Sequence, residues 1–195
     1  MKLLSAASDA LVAGKGAFEL QDVGARAEVS VGLVSHHFGS KAGLIAAVVN
    51  RFYDEAGEAL DLGDLKLGGW SEREQERLSR LIAFMYDEEL APVILSKLAH
   101  YPEVAAIEAQ RWNGLIDAAA RNIIQGKARG QILDAHRPDI LAAMIVGAAR
   151  HAIALALAAE ERPTQAALAA AIWAFITSGL RLDGKDNKAR EGDRT

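Results

Sequence analysis

The stretch Leu20–Lys41 reads LQDVGARAEVSVGLVSHHFGSK, two helical segments too short to be stable alone, joined by the turn Glu28-Val29-Ser30. Val23 and Ala27 on the first segment, Leu20–Ala27, face Val29, Val34 and Phe38 around the second. Apolar residues so placed let two short helices pack at a fixed, steep angle. Ser30 is the expected N-cap of the second helix, Val31–His37, and Ser40 of a longer helix from Lys41 to Leu60. Val31, Gly32, Ser35, His36 and His37 are then left facing outward.

Helices are expected in the rest of the chain too. Alanine is abundant in its 195 residues, 51% are hydrophobic, and proline occurs only four times, which favours helix over strand. Start and stop signals mark about nine helices. The first covers Leu3–Ala13 and stops at Gly14-Lys15-Gly16. The Gly-rich stretch 61–69 reads as a loop. Ser71 and Glu74 have capping-box spacing and open a fifth helix to about Glu88. A sixth covers Ala91–Ala99. Pro102 opens a seventh, to Ala128, ended by Gly130; Pro138 opens an eighth, to Ala159; Thr164 caps a ninth, ending near Gly179. The tail 183–195 mixes basic and acidic residues without a large apolar group and is expected to be disordered. The fold class is all-α: a three-helix helix-turn-helix domain over 1–53, with the fourth helix (41–60) leading onward, then a helical bundle over 54–182.

Several chemistries are excluded or unsupported. With no cysteine there is neither a disulfide nor a Cys-ligated zinc, which suits a cytoplasmic protein. His36, His37, His100, His136 and His151 form no metal-ligand pattern, so neither metal nor cofactor is expected. No phosphate loop, dinucleotide turn or nucleophile elbow occurs, and the acidic runs 87–89 and 160–161 read as helix ends meeting solvent; an enzyme is not indicated. Ile140–Ala159 looks membrane-like, but Arg150 and His151 at its centre make a buried interface helix the better reading, and no membrane partner is expected.

A helix the size of Val31–His37 fits the major groove of DNA. Gly32 costs such a helix about 1 kcal/mol, which close approach of backbone to DNA would explain. Ser35, His36 and His37 can donate to phosphates or bases, and Lys41 opens the next helix as a phosphate-binding cation. The expected DNA contacts are therefore Ser30, Val31, Gly32, Ser35, His36, His37 and Lys41. The net charge is −4, yet residues 1–53 set Lys2, Lys15, Arg26, Lys41 and Arg51 against Asp9, Glu19, Asp22 and Glu28, a surplus of one cation. Binding must rest on a few placed groups rather than a broad field.

Ala27-Glu28-Val29-Ser30, then Gly32-Leu33-Val34-Ser35-His36-His37-Phe38-Gly39-Ser40-Lys41, then Leu44-Ile45, resemble the DNA-binding domain of the TetR family of bacterial one-component regulators. The run Ser35–Lys41 is especially similar to the branch containing the choline-responsive betaine-pathway repressor. This chain departs from the family's usual pattern at Glu19 (Thr or Ser), Gly24 (Ala), Glu28 (Gly), Ser35 (often Tyr) and Gly43 (Glu). The resemblance implies a repressor that binds a palindromic operator on double-stranded DNA as a homodimer, joined through the two Ala-rich C-terminal helices. It also implies a C-terminal pocket for a small-molecule effector that releases the DNA. Tyr86, Trp112 and His151, each an apolar body with a polar handle, are the expected ligand contacts. The alternative is a helical ligand- or partner-binding protein with a weak or non-functional DNA motif.

Overall fold

The computed structural model describes residues 2–61, 63, 68–98, 100–133 and 136–180. Among them lie nine helices and no strand: α1 (Lys2–Ala13), α2 (Leu20–Ala27), α3 (Val31–Phe38), α4 (Lys41–Leu60), α5 (Trp70–Asp87), α6 (Ala91–Lys97), α7 (Pro102–Ala128), α8 (Pro138–Ala158) and α9 (Gln165–Gly179). The expected boundaries hold to within a residue or two. The tail 183–195, Ala99 and much of the loop 61–69 lie outside the described residues.

Caps form where the side chains allow them. Ser30 Oγ accepts the Leu33 N–H at 3.2 Å, Ser40 Oγ that of Gly43 at 3.0 Å, and Thr164 Oγ1 that of Ala167 at 3.2 Å. The expected Ser71–Glu74 capping box does not form. The buried indole of Trp70 starts α5 two residues earlier, which places Ser71 inside the helix. Glu72 turns back to accept the Gly68 N–H at 2.6 Å, while Glu74 bonds Arg77 and Asn122.

The chain divides into two compact units interleaved in sequence: unit 1 is Met1–Ala59 with Phe84–Arg111, and unit 2 is Leu60–Ala83 with Trp112–Thr195. Helices α5 and α7 each contribute to both.

In unit 1, α1 packs on α2 and α2 on α3. Val23, Ala27 and Val34 are buried as the sequence pattern requires. Helix α4 buries Leu44, Ile45, Val48, Val49, Phe52 and Tyr53, a stripe at helical spacing. Helix α6 adds Ala91, Val93 and Ile94, and Leu98 beyond its end is also buried. The α1–α2 turn needs Gly16: its φ is +99°, and a Cβ there would meet the Lys97 side chain at 2.9 Å. A polar clasp joins α4 to α7. Tyr53 donates to Oε1 of buried Glu108 at 2.8 Å, and Arg111 reaches Asn50 at 3.1 Å and Asp54 at 2.7 Å.

In unit 2, α8 packs against α9. Leu141, Ala142, Ala149 and Ile153 of α8, and Leu168, Ile172 and Ile176 of α9, are buried. Both helices also carry apolar side chains that the described residues leave exposed: Ile140, Met144, Phe175 and Leu155, the last 75% exposed. Helix α8 is long and apolar enough to cross a membrane, by length and composition alone, and only a third of its most apolar stretch is buried. Near its middle, Arg150 lies 4.9 Å over the Trp112 ring.

Candidate nucleic-acid interface

Helix α3 brings six of the seven expected DNA contacts onto one eight-residue element and its cap. Val34 is its only buried residue. Ser30, Gly32, His36 and His37 are exposed, and Val31 and Ser35 half-buried. Ser30 has a double role: its oxygen caps the helix, and its hydroxyl proton stays free to donate. The His36 and His37 rings meet edge to face at 5.8 Å, so they form a joined imidazole edge. Gly32 answers a question the sequence leaves open. A Cβ there would touch only Ser30 Oγ, at 3.9 Å, so no packing within the chain requires glycine. The sequence pattern gives no warning of Leu33, which α3 leaves 40% exposed beside this polar face. Apolar side chains on a reading helix contact thymine methyls.

Lys41 stands at the start of α4, three residues after α3 ends. Its Nζ lies 3.8 Å from Glu19 Oε1 and 4.9 Å over the Phe18 ring. The expected phosphate cation therefore already has a carboxylate neighbour. Glu19 precedes α2, and its backbone N–H is held by Asp22 Oδ2 at 3.3 Å. Of two other departures, the backbone opposes the first and requires the second. Glu28 takes the left-handed conformation (φ +59°, ψ +41°) that ends α2, a geometry that favours glycine. At Gly43 a Cβ would lie 2.2 Å from the Phe38 carbonyl oxygen, so the backbone there admits no side chain.

Unit 2 holds a cavity of about 320 Å³ that opens to the surface, within the size range of small-molecule sites. Helices α5, α7, α8 and α9 line it, with Leu60 at the end of α4. Its wall includes Trp70, Trp112 and Trp173, which are all three tryptophans of the chain. Trp70 and Trp173 stack with centroids 6.0 Å apart. On the polar side, Glu74 Oε1 accepts from Asn122 at 3.0 Å and from Arg77. Burial pushes the Glu74 carboxyl up from its ordinary pKa, and the charge and hydrogen bond of Arg77 pull it back down. Of the expected ligand contacts, Trp112 lines the cavity. Tyr86 belongs to unit 1, and His151 is exposed on α8 with Nδ1 on the Gly147 carbonyl at 2.9 Å; neither lines it. Trp70, Trp173 and Arg77, which do, are brought together by tertiary packing that a single helix's periodicity does not reveal.

Among the described residues no group of three metal-ligating side chains occurs. A search of curated proteins by sequence gave no match. Residues 3–48 match the sequence model described as "Bacterial regulatory proteins, tetR family". Solved structures share the fold along nearly the whole chain. A Rhodococcus sp. protein assigned to the TetR family of transcriptional regulators is 18% identical, with 91% of this chain and 96% of that one covered and a TM-score of 0.76. The fatty acid degradation regulator FadR from Bacillus halodurans is 14% identical, with 92% and 98% covered and a TM-score of 0.74. A transcriptional regulator of the TetR/AcrR family from Thermobifida fusca is 22% identical, with 91% and 95% covered and a TM-score of 0.70. This is a family of transcription regulators rather than enzymes. Residues 3–48 thus follow the sequence pattern of the TetR family, and about nine-tenths of the chain shares the fold of solved regulators of that family.

Proposed function

We propose that the protein is a cytoplasmic, ligand-responsive repressor that binds a palindromic operator as a homodimer and is released by a small-molecule effector. The observation that carries this reading is the uncovered face of α3, where a glycine without internal cause lies among Ser30, Ser35, His36 and His37. Val31 and Gly32 let the N-terminal turn approach base edges, Ser35 and the two imidazoles donate to bases or phosphates, and Lys41 meets a phosphate. The apolar residues that α8 and α9 leave exposed support a two-fold interface with a second copy. Such a dimer sets two reading helices about 34–36 Å apart, one turn of DNA. The unit 2 cavity supports the effector role. A ligand that prefers one conformer while the operator prefers another lowers DNA affinity by linkage.

The test is fluorescence anisotropy of labelled DNA from upstream of the protein's own and adjacent genes. Saturable binding that weakens steeply with salt, and that is lost on replacing Lys41 and His36 together by alanine, is expected. Absent or salt-independent binding to every fragment overturns the reading. The Glu19–Lys41 pair favours one second reading, a helical ligand- or partner-binding protein whose N-terminal motif reads DNA poorly. In that case the double substitution leaves its function unchanged.

A further inference from the structure

The polar groups of the unit 2 cavity are unequally committed. Its one carboxylate among the described residues, Glu74, already accepts from Arg77 and Asn122. The donors are not used up. Arg77 spends one nitrogen on Glu74, and a guanidinium carries five N–H donors. Arg121, exposed where it lines the cavity, has no carboxylate partner among the described residues. Among the described residues, two guanidinium groups against one carboxylate give the lining a net single positive charge. The rest of the wall is indole and aliphatic.

A ligand completing this site supplies what the wall lacks: hydrogen-bond acceptors, one negative charge and an apolar body. A neutral alcohol brings an acceptor but leaves the surplus cation unmatched. An ammonium brings donors to a wall already rich in donors and finds only a carboxylate held by two neighbours. Carboxylate and guanidinium match in charge and in planar geometry, and such charge-assisted bonds are about twice as strong as neutral ones.

We infer that the cavity binds an amphipathic organic acid, its anionic head on Arg77 and Arg121 and its apolar body along the tryptophan and aliphatic wall. This rests on the reading of the cavity as the effector site and names the chemical class of that effector.

Because all three tryptophans line the cavity, intrinsic emission reports its occupancy in the free, full-length protein without DNA. Octanoate, octanol and octylammonium carry one apolar body with three heads. Octanoate is expected to shift the emission saturably, with a Kd at least about tenfold below those of the other two. Arg121→Gln alters an exposed side chain, so folding is retained; it is expected to cut that preference to about twofold or less and leave octanol affinity unchanged. Equal affinity for octanoate and octanol, preference for octylammonium, or no saturable change with any of the three overturns the proposal. Adding octanoate to the operator complex separates the two readings. Binding by emission without loss of operator affinity keeps the acid site and removes its effector role, whereas failure of operator binding leaves the emission titration intact.

Discussion

Glu28 holds a left-handed backbone conformation at the end of α2 with a side chain that favours other geometry. Its ion pair with Lys2, at 3.8 Å, is at the surface and stabilises little. Glu28→Gly is therefore expected to raise stability by about 0.5–1 kcal/mol, read as a higher denaturant midpoint with an unchanged m-value. Glu19 acts on binding instead. Its carboxylate sits beside the cation offered to phosphate and would itself face the DNA backbone. Glu19→Gln is expected to strengthen operator binding roughly two- to tenfold at low salt and to steepen the log–log salt dependence by about one unit, as Lys41 becomes free to displace a counterion. Unchanged affinity and slope would show that Lys41 takes no part in the contact. The Ser30 cap and the oddity of Gly32 were legible in the sequence because both follow from neighbours within a turn. The Glu19–Lys41 pair was not, since it joins residues 22 positions apart through the packing of α2 against the start of α4.

Helix boundaries were legible wherever a cap or a proline marks them, and α2, α4 and α7 begin and end where punctuation places them. The start of α5 was not. Capping-box spacing is a local signal, and the burial and stacking of Trp70 against a tryptophan on α9 outweighs it. The cavity was least legible of all: Trp112 could be singled out by its chemistry, but its partners come from five helices. The α4–α7 clasp has the same tertiary origin. Tyr53→Phe removes the hydroxyl that donates to buried Glu108 and is expected to cost about 1–3 kcal/mol in chemical denaturation, more than loss of an exposed hydrogen bond. A cost below ~0.5 kcal/mol would mean that this bond contributes no more than a surface contact.

At the scale of the whole molecule, the apolar residues exposed on α8 and α9 are the strongest sign of a second copy. Phe175→Arg places a charge on this face without touching the monomer core. It is expected to yield a folded monomer by light scattering and to weaken operator binding at least about tenfold, since each reading helix then binds without its partner. A dimer unchanged by Phe175→Arg would place the interface elsewhere. The interleaving of the two units bears on how such proteins can be recombined. A reading head cut from the gene at Ala59 leaves behind Phe84–Arg111, and with it Ile94, Leu98 and Glu108, which are buried in the unit that carries α3. No single crossover point yields a self-sufficient head. Chimeras that join the first 59 residues of one homologue to the remainder of another pair a core with a lining it was not shaped for. Operator preference should be transplanted by exchanging the outward residues of α3, which leaves the shared core of unit 1 undisturbed.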